Sequence, residues 1–122
     1  MSTILIVEDN EKNMKLARDV LQAKGHAVLE AVTGEDGVRV ATEKKPDLVL
    51  MDIQLPGING IEAFRQIRGD AATRSIPVVA LTASVTPTDR SAISAAGFDA
   101  FISKPINLKE FLDTVKRLAE KK

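Results

Sequence analysis

The sequence predicts an α/β fold in which helices cover both faces of a parallel β-sheet. Residues 4–7 and 48–51 are short, unbroken apolar runs of the kind found in strands that are buried on both faces. Five strand-like segments alternate with five segments of helical periodicity, which is typical of strand–helix units joined by right-handed crossovers. We therefore predict a single doubly wound (βα)5 domain over residues 1–122, with a five-stranded parallel sheet of order 2-1-3-4-5.

The first half of the chain contains three predicted strands and two predicted helices. Asn10 can cap the first helix, and Thr33 opens the second. The second strand carries Glu30, as an edge strand can. The first helix has apolar residues at helical spacing: Met14, Leu16, Ala17, Val20 and Leu21. The strands are predicted at residues 4–7, 27–32 and 48–52.

The second half continues the same alternation and completes a flavodoxin-like arrangement. Asn59 opens the third helix, Thr86 the fourth and Asn107 the fifth, and strands are predicted at 77–81 and about 99–103. The fourth helix is the weakest, because its apolar face consists of three alanines and one isoleucine: Ala92, Ile93, Ala95 and Ala96. The fifth has a continuous apolar face: Leu108, Phe111, Leu112, Val115, Leu118 and Ala119.

Composition excludes several classes of function. Seventeen basic and seventeen acidic residues give a formal net charge of +0, which argues against general affinity for nucleic acid or for an anionic membrane. The chain has no cysteine, so disulfides and thiolate metal sites are excluded. Apolar content of 44% is sufficient for a core, but no segment has the length of a membrane span. We expect a cytoplasmic protein.

Polar residues follow the strands at the edge where parallel strands end. Glu8 and Asp9 follow the first strand and Asp52 ends the third, its neighbour in the predicted sheet. Three carboxylates so close together repel one another and need neutralising, by a divalent cation or by Lys104 after the fifth strand. Oxygen ligands favour Mg²⁺, with Mn²⁺ as a substitute. With Thr82, these groups can form a phosphoryl-binding set around a nucleophilic carboxylate.

Five motifs, in chain order, resemble those of a response-regulator receiver domain, and the resemblance covers the whole chain. Within that superfamily the sequence is most similar to stand-alone, single-domain cell-division regulators of the DivK kind. The motifs are Val7-Glu8-Asp9-Asn10, Leu50-Met51-Asp52, Leu55-Pro56-Gly57, Ala80-Leu81-Thr82-Ala83 and Ser103-Lys104-Pro105.

The resemblance implies that Asp52 accepts a phosphoryl group from a phosphohistidine. The donor would be a histidine kinase or a histidine phosphotransfer protein. Asp9, Asp52 and the backbone carbonyl of Gln54 would bind Mg²⁺, and Glu8 would act through a bound water. A receiver of this kind phosphorylates itself from small phosphodonors and loses the phosphate slowly. We therefore expect that this protein is not a turnover enzyme.

The resemblance also implies how the signal leaves the domain. Thr82 and Lys104 would hold the phosphoryl oxygens, and Phe101 would be the aromatic residue that repositions when Thr82 moves. The Lys104–Pro105 peptide would be cis. A downstream protein would bind the face formed by the fourth helix, the fifth strand and the fifth helix of a monomer that has no output domain.

Three alternatives compete with this interpretation. A flavodoxin shares the architecture, but Glu8 and Asp9 would repel its phosphate. A phosphatase of the haloacid-dehalogenase type also uses a strand-end Asp, but it has a second Asp where Gln54 stands and needs a cap domain. The chain could also be a receiver domain from a hybrid histidine kinase or a larger response regulator. Outside the site, we expect His26 to be an ordinary exposed residue and Lys116 to lie on the solvent face of the last helix.

Overall fold

The strands form at the predicted apolar runs, and helices alternate with them along the chain. The structure is a computed structural model that describes residues 2–55, 57–83, 87–104 and 106–119, with only the main chain for residues 87–90. The strands are β1 (Thr3–Val7), β2 (Ala27–Ala31), β3 (Leu48–Asp52), β4 (Val78–Thr82) and β5 (Ala100–Ser103). The helices are α1 (Glu11–Ala23), α2 (Gly34–Lys44), α3 (Gly60–Gly69), α4 (Pro87–Ala96) and α5 (Leu108–Ala119).

All five strands pair in parallel in the order β2-β1-β3-β4-β5, which confirms the predicted fold class. Because the strands run in one direction, their carboxyl ends lie along the same edge of the sheet. We call the edge at which Asp52 and Thr82 end their strands the carboxyl edge. The opposite edge, at which Thr3 and Ala27 begin theirs, is the amino edge.

Alternate side chains of each central strand enter two separate hydrophobic cores. Ile4 and Ile6 of β1 enter the core that α1 and α5 cover. Leu5 and Val7 enter the core on the other face, to which α2 and α3 contribute. Strand β3 is buried along its whole length, as its unbroken apolar run predicts. Asp52 is therefore held at the end of a rigid central strand.

The predicted helix starts within the described residues are confirmed by side-chain caps. Asn10 Oδ1 accepts a hydrogen bond of 3.0 Å from the main-chain nitrogen of Asn13. Thr33, Asn59 and Asn107 accept equivalent bonds three residues ahead, of 3.1, 2.9 and 3.1 Å. Each cap satisfies a main-chain donor that has no partner inside the helix. These local bonds determine where the chain leaves the carboxyl edge.

Several helical residues lie outside the buried stripes that the sequence predicts. Leu16 is 40% exposed and Leu108 46% exposed, because each sits beside the stripe that faces the sheet. In α4, Ala92 and Ala95 are exposed, and Ile93 is the fully buried residue among those whose side chains are described. Helix α4 therefore buries even less apolar surface than its predicted apolar face implies, in agreement with the prediction that it is weakly packed.

The prediction that His26 is an ordinary exposed residue is wrong. Its side chain is half-buried beside the start of β2, and its Nδ1 atom is buried. Two other predictions, the cis peptide at Lys104–Pro105 and the cap at Thr86, lie outside the described residues. In the described part of the chain, no helix is both long enough and apolar enough to cross a bilayer.

Candidate functional site

The three carboxylates predicted from the sequence meet at the carboxyl edge. Val7 of β1 pairs with Met51 of β3, so the next residue of each chain segment, Glu8 and Asp52, emerges at the same level of the sheet. One carboxylate oxygen each from Glu8, Asp9 and Asp52 lies within 4.8 Å of the other two. Glu8 and Asp52 are buried, at 1% and 3% exposure, whereas Asp9 is exposed.

The amino group of Lys104 bridges the two buried carboxylates. Its Nζ atom lies 2.6 Å from Glu8 Oε1 and 2.9 Å from Asp52 Oδ2. The position of the lysine is determined by the sheet, because its main-chain nitrogen donates a hydrogen bond of 2.8 Å to the carbonyl oxygen of Thr82. Charge-assisted hydrogen bonds in a site that is largely shielded from water are stronger than exposed ones. Lys104 therefore holds both acids in place.

The site contains more negative charge than Lys104 can neutralise. Burial, together with the neighbouring Asp52, raises the pKa of Glu8 to about 7, against the opposing effects of Lys104 and of the main-chain nitrogen of Asn10. Burial lowers the pKa of Lys104, but its bonds to Glu8 and Asp52 outweigh burial, and the pKa is raised. Lys104 therefore stays charged, whereas Glu8 exchanges between its protonated and ionised forms near neutral pH.

Two main-chain nitrogens hold the acids in place, and the start of α3 lies close to Asp52. The nitrogen of Gln54 donates to Asp52 Oδ1 at 2.9 Å, and the nitrogen of Asn10 donates to Glu8 Oε2 at 3.2 Å. Gly60, at the start of α3, lies so close to β3 that a Cβ atom there would be 2.2 Å from the main-chain oxygen of Asp52. Gly60 was not among the predicted site residues, although a glycine directly after the cap Asn59 was the available signal.

The donor set fits a hard divalent cation. Three carboxylates and one ammonium group would carry two net negative charges when all are ionised. Burial is the larger cause of the raised pKa of Glu8, and the neighbouring Asp52 adds to it. Carboxylate oxygens are the ligands that Mg²⁺ prefers, and Asp9 is exposed and can reach an ion that keeps several waters. Gln54 is placed beside Asp52, but the metal-binding role of its carbonyl stays a prediction.

Thr82 and Phe101 point to the same face of the sheet. Thr82, at the end of β4, is 1% exposed and pairs with Ser103, whereas Phe101 pairs with Ala80. Paired residues of parallel strands point to the same face, and so do residues two positions apart along a strand. Thr82 and Phe101 are therefore diagonal neighbours. Phe101 is half-buried and lines a cavity of about 610 Å³ together with Ile93.

Comparison with known proteins agrees with this geometry. Residues 4–116 match the family model described as the response regulator receiver domain. The chain belongs to this family. As a receiver domain, it is a component of two-component signalling, and receiver domains are generally not turnover enzymes.

The receiver domain is similar to curated and solved relatives over nearly its full length. It is 43% identical over 114 residues to the polar-differentiation response regulator DivK of Brucella anthropi, covering 93% of each chain. It superposes with a TM-score of 0.92 on the receiver domain of a sensor histidine kinase from Pseudomonas aeruginosa, at 32% identity and 98% coverage of both chains. That structure is described as having magnesium coordinated in its active-site cleft. A putative response regulator from Chloroflexus aurantiacus gives a TM-score of 0.93 at 28% identity and 98% coverage of both chains.

Proposed function

We propose that this receiver domain accepts a phosphoryl group on Asp52 and signals through contacts with other proteins. The observation that carries the proposal is the buried carboxylate of Asp52 at the end of a rigid strand, bound by Lys104, which also binds Glu8. A carboxylate in this position can act as a nucleophile toward phosphorus. The ammonium group of Lys104 lies 2.9 Å from one of its oxygens and would stabilise the negative charge on the oxygens of the incoming phosphoryl group.

The residues of the site divide the work of phosphoryl transfer. In our proposal a carboxylate oxygen of Asp52 forms the new bond to phosphorus, while the bond from phosphorus to the nitrogen of the donor phosphohistidine breaks. The nitrogen keeps the electron pair, and the donor returns to neutral imidazole after proton uptake. Lys104 and the hydroxyl of Thr82 then stabilise the phosphoryl oxygens. Lys104 is already held beside Asp52 and needs little reorganisation.

Magnesium is the metal that we propose for this receiver domain, with Mn²⁺ as a substitute. Asp9, Asp52 and the carbonyl of Gln54 would hold the ion, and Glu8 would contact it through water. When bound, the ion supplies positive charge that neutralises the acids and the incoming phosphoryl oxygens. Support comes from the oxygen donors within 4.8 Å of one another and from the magnesium described in the P. aeruginosa relative.

The proposed output surface is the face formed by α4, β5 and α5. Among the side chains described for α4, Ile93 is the one that is fully buried. Burial contributes about 25 cal/mol per Å² of apolar surface, so the small side chains of the alanines contribute little. The cavity of about 610 Å³ under α4 leaves space beside Phe101. A phosphate that draws Thr82 inward would allow Phe101 to move, and α4 would shift at small cost.

The similarity to the response regulator DivK favours a stand-alone regulator, and we propose that it acts as a cytoplasmic monomer. The chain covers 93% of the length of that relative. The alternative, a receiver domain from a hybrid histidine kinase or a larger response regulator, is favoured by the P. aeruginosa relative at 32% identity. In both cases the phosphodonor would be a phosphohistidine of a kinase or a phosphotransfer protein.

Phosphorylation of an Asp52→Asn variant tests the proposal. Incubation of the wild type with acetyl phosphate and Mg²⁺ should add one acid-stable, base-labile phosphoryl group, detected by intact-protein mass spectrometry. Asp52→Asn should abolish it, because an amide is not a nucleophile. Asp36→Asn is the matched control, since Asp36 is a half-exposed acid in the first turn of α2. Equal incorporation into Asp52→Asn and Asp36→Asn would place the phosphoacceptor elsewhere.

A further inference from the structure

A cavity of about 650 Å³ lies at the amino edge of the sheet, between the end of α1 and the outer side of α5. Ser2, Lys24 and His26 lie at the amino edge, which the five residues of β1 separate from the carboxyl edge by roughly 17 Å at about 3.3 Å per residue. Its volume is in the range of small-molecule sites in proteins. The lining residues are Ser2, Lys24, His26, Lys109, Leu112, Asp113 and Lys116.

The walls of this amino-edge cavity carry an excess of positive charge. Lys24 comes from the end of α1, and Lys109 and Lys116 come from α5. Asp113 is the acid among the lining residues. Within the described residues, no ion pair involves any of these four side chains, unlike Lys15 on α1, which pairs with Asp19 at 2.6 Å. Three unpaired ammonium groups around a concave space attract a multiply charged anion.

His26 adds a second, independent observation. Its Nδ1 atom is buried and has no hydrogen-bond partner within the described residues. A buried polar atom without a hydrogen-bond partner lowers the stability of the folded state by about 1–3 kcal/mol. The imidazole ring lines the cavity, so a rotation of the half-buried side chain would offer a ring nitrogen to a bound molecule. The last carbonyls of α1 do not oppose an anion strongly, since Leu21 and Gln22 accept main-chain hydrogen bonds from the turn that follows.

We propose that the amino-edge cavity binds a nucleoside polyphosphate. The phosphates would lie among the three lysines, and Asp113 would accept hydrogen bonds from ribose hydroxyls or a base amino group. The partly buried side chain of Leu112 and the methylene groups of the lysines would cover one face of the base. The mixture of cations, a single carboxylate and an apolar wall fits a nucleotide better than inorganic phosphate.

The test uses the complete chain without divalent metal. Adenosine and guanosine di- and triphosphates, inorganic triphosphate and a hexaglutamate peptide are titrated in the presence of EDTA, so that the acids at the carboxyl edge repel the probes. Amide chemical shifts and isothermal titration calorimetry provide the readouts. We expect saturable binding of a nucleotide at or below about 1 mM, with shift changes concentrated at residues 24–27 and 109–116.

Lysine variants show whether the cavity is the binding site. Lys109→Gln and Lys116→Gln should each weaken nucleotide binding roughly three- to tenfold, the usual effect of losing a charge-assisted hydrogen bond near the surface. Lys44→Gln is the matched control, because Lys44 is exposed on α2, away from the cavity. All three variants should fold normally by far-UV circular dichroism and should still be phosphorylated on Asp52.

Each remaining outcome overturns the proposal. Equal affinity for inorganic triphosphate and for nucleotides would show a simple anion site with no role for Asp113 or Leu112. Tighter binding of hexaglutamate would assign the surface to an acidic protein. Absence of saturable binding, or equal affinity in Lys109→Gln, Lys116→Gln and Lys44→Gln, would show that the cavity binds no nucleotide. Because these measurements involve neither Mg²⁺ nor phosphoryl transfer, their failure would leave the proposed function of Asp52 unaffected.

Discussion

Replacing Glu8 by Gln should make this receiver domain more stable at high pH in the absence of metal. The pKa of Glu8 is about 7 in the folded protein against a usual value of 4.5, chiefly because the carboxyl is buried. A tenfold difference in proton affinity corresponds to about 1.4 kcal/mol, so the ionised side chain costs the folded state about 3 kcal/mol relative to the protonated one. Glutamine keeps the shape and a hydrogen-bond acceptor for Lys104 but cannot ionise.

The direction of the pH dependence follows from the raised pKa. Between pH 4.5 and 7 the folded state holds the Glu8 proton more tightly than the unfolded state, so stability falls as pH rises through this range. The full contribution of protonated Glu8 is present below pH 4.5 and lost above about 7. Wild type and Glu8→Gln should therefore have similar free energies of unfolding at pH 4, and the variant should be more stable by up to about 3 kcal/mol at pH 8.

Urea denaturation followed by far-UV circular dichroism measures this difference, because the chain has neither tryptophan nor tyrosine. Glu43→Gln is the matched control, since Glu43 is an exposed acid paired with Arg39, and its effect should stay within about 0.5 kcal/mol at both pH values. Added Mg²⁺ at pH 8 should stabilise the wild type more than Glu8→Gln. A difference between wild type and Glu8→Gln that stays constant from pH 4 to 8 would refute the argument that burial holds a proton on Glu8.

Three further predictions concern the close packing of Gly60, the binding of Mg²⁺ and the response of the proposed output surface. Gly60→Ala should lower the free energy of unfolding by more than about 2 kcal/mol, because its Cβ atom would meet the main-chain oxygen of Asp52. Gly69→Ala, with nothing within 4 Å of its Cβ position, should be neutral or stabilising. Asp9→Ala should weaken Mg²⁺ binding at least roughly tenfold by isothermal titration calorimetry. Thr82→Ala should leave phosphorylation possible but uncouple it from amide chemical-shift changes along α4, β5 and α5.

The controls and the contradicting outcomes differ for each. Equal destabilisation by Gly60→Ala and Gly69→Ala would mean that the close approach to β3 is unimportant. Asp36→Ala should leave Mg²⁺ affinity unchanged, and the same affinity in Asp9→Ala would reduce Asp9 to an exposed acid beside the start of α1. If phosphate shifts the amide signals of Thr82→Ala as it shifts those of the wild type, the signal leaves the site by another route.

The sequence by itself determined the elements of this receiver domain and which charged side chains meet at the carboxyl edge. Helix starts at Asn10 and Asn59 depend on bonds to residues three positions ahead, which a local pattern encodes. The unbroken apolar run before Asp52 encodes a strand that is buried on both faces. Once strands and helices alternate, chain topology alone brings Glu8, Asp9, Asp52 and Lys104 to one edge of the sheet.

Only the tertiary structure decided how these groups interact. Lys104 touches a carboxylate that lies 96 positions earlier in the chain, and no local pattern states whether its Nζ atom reaches one acid or both. The raised pKa of Glu8 depends on burial and on net charge within a few ångströms. The contact that requires Gly60, the exposure of Leu16 and the lysine-lined cavity beside His26 likewise arise where separate elements pack together. Such features depend on distances between elements that are far apart in the chain, and hydrophobic periodicity does not predict those distances.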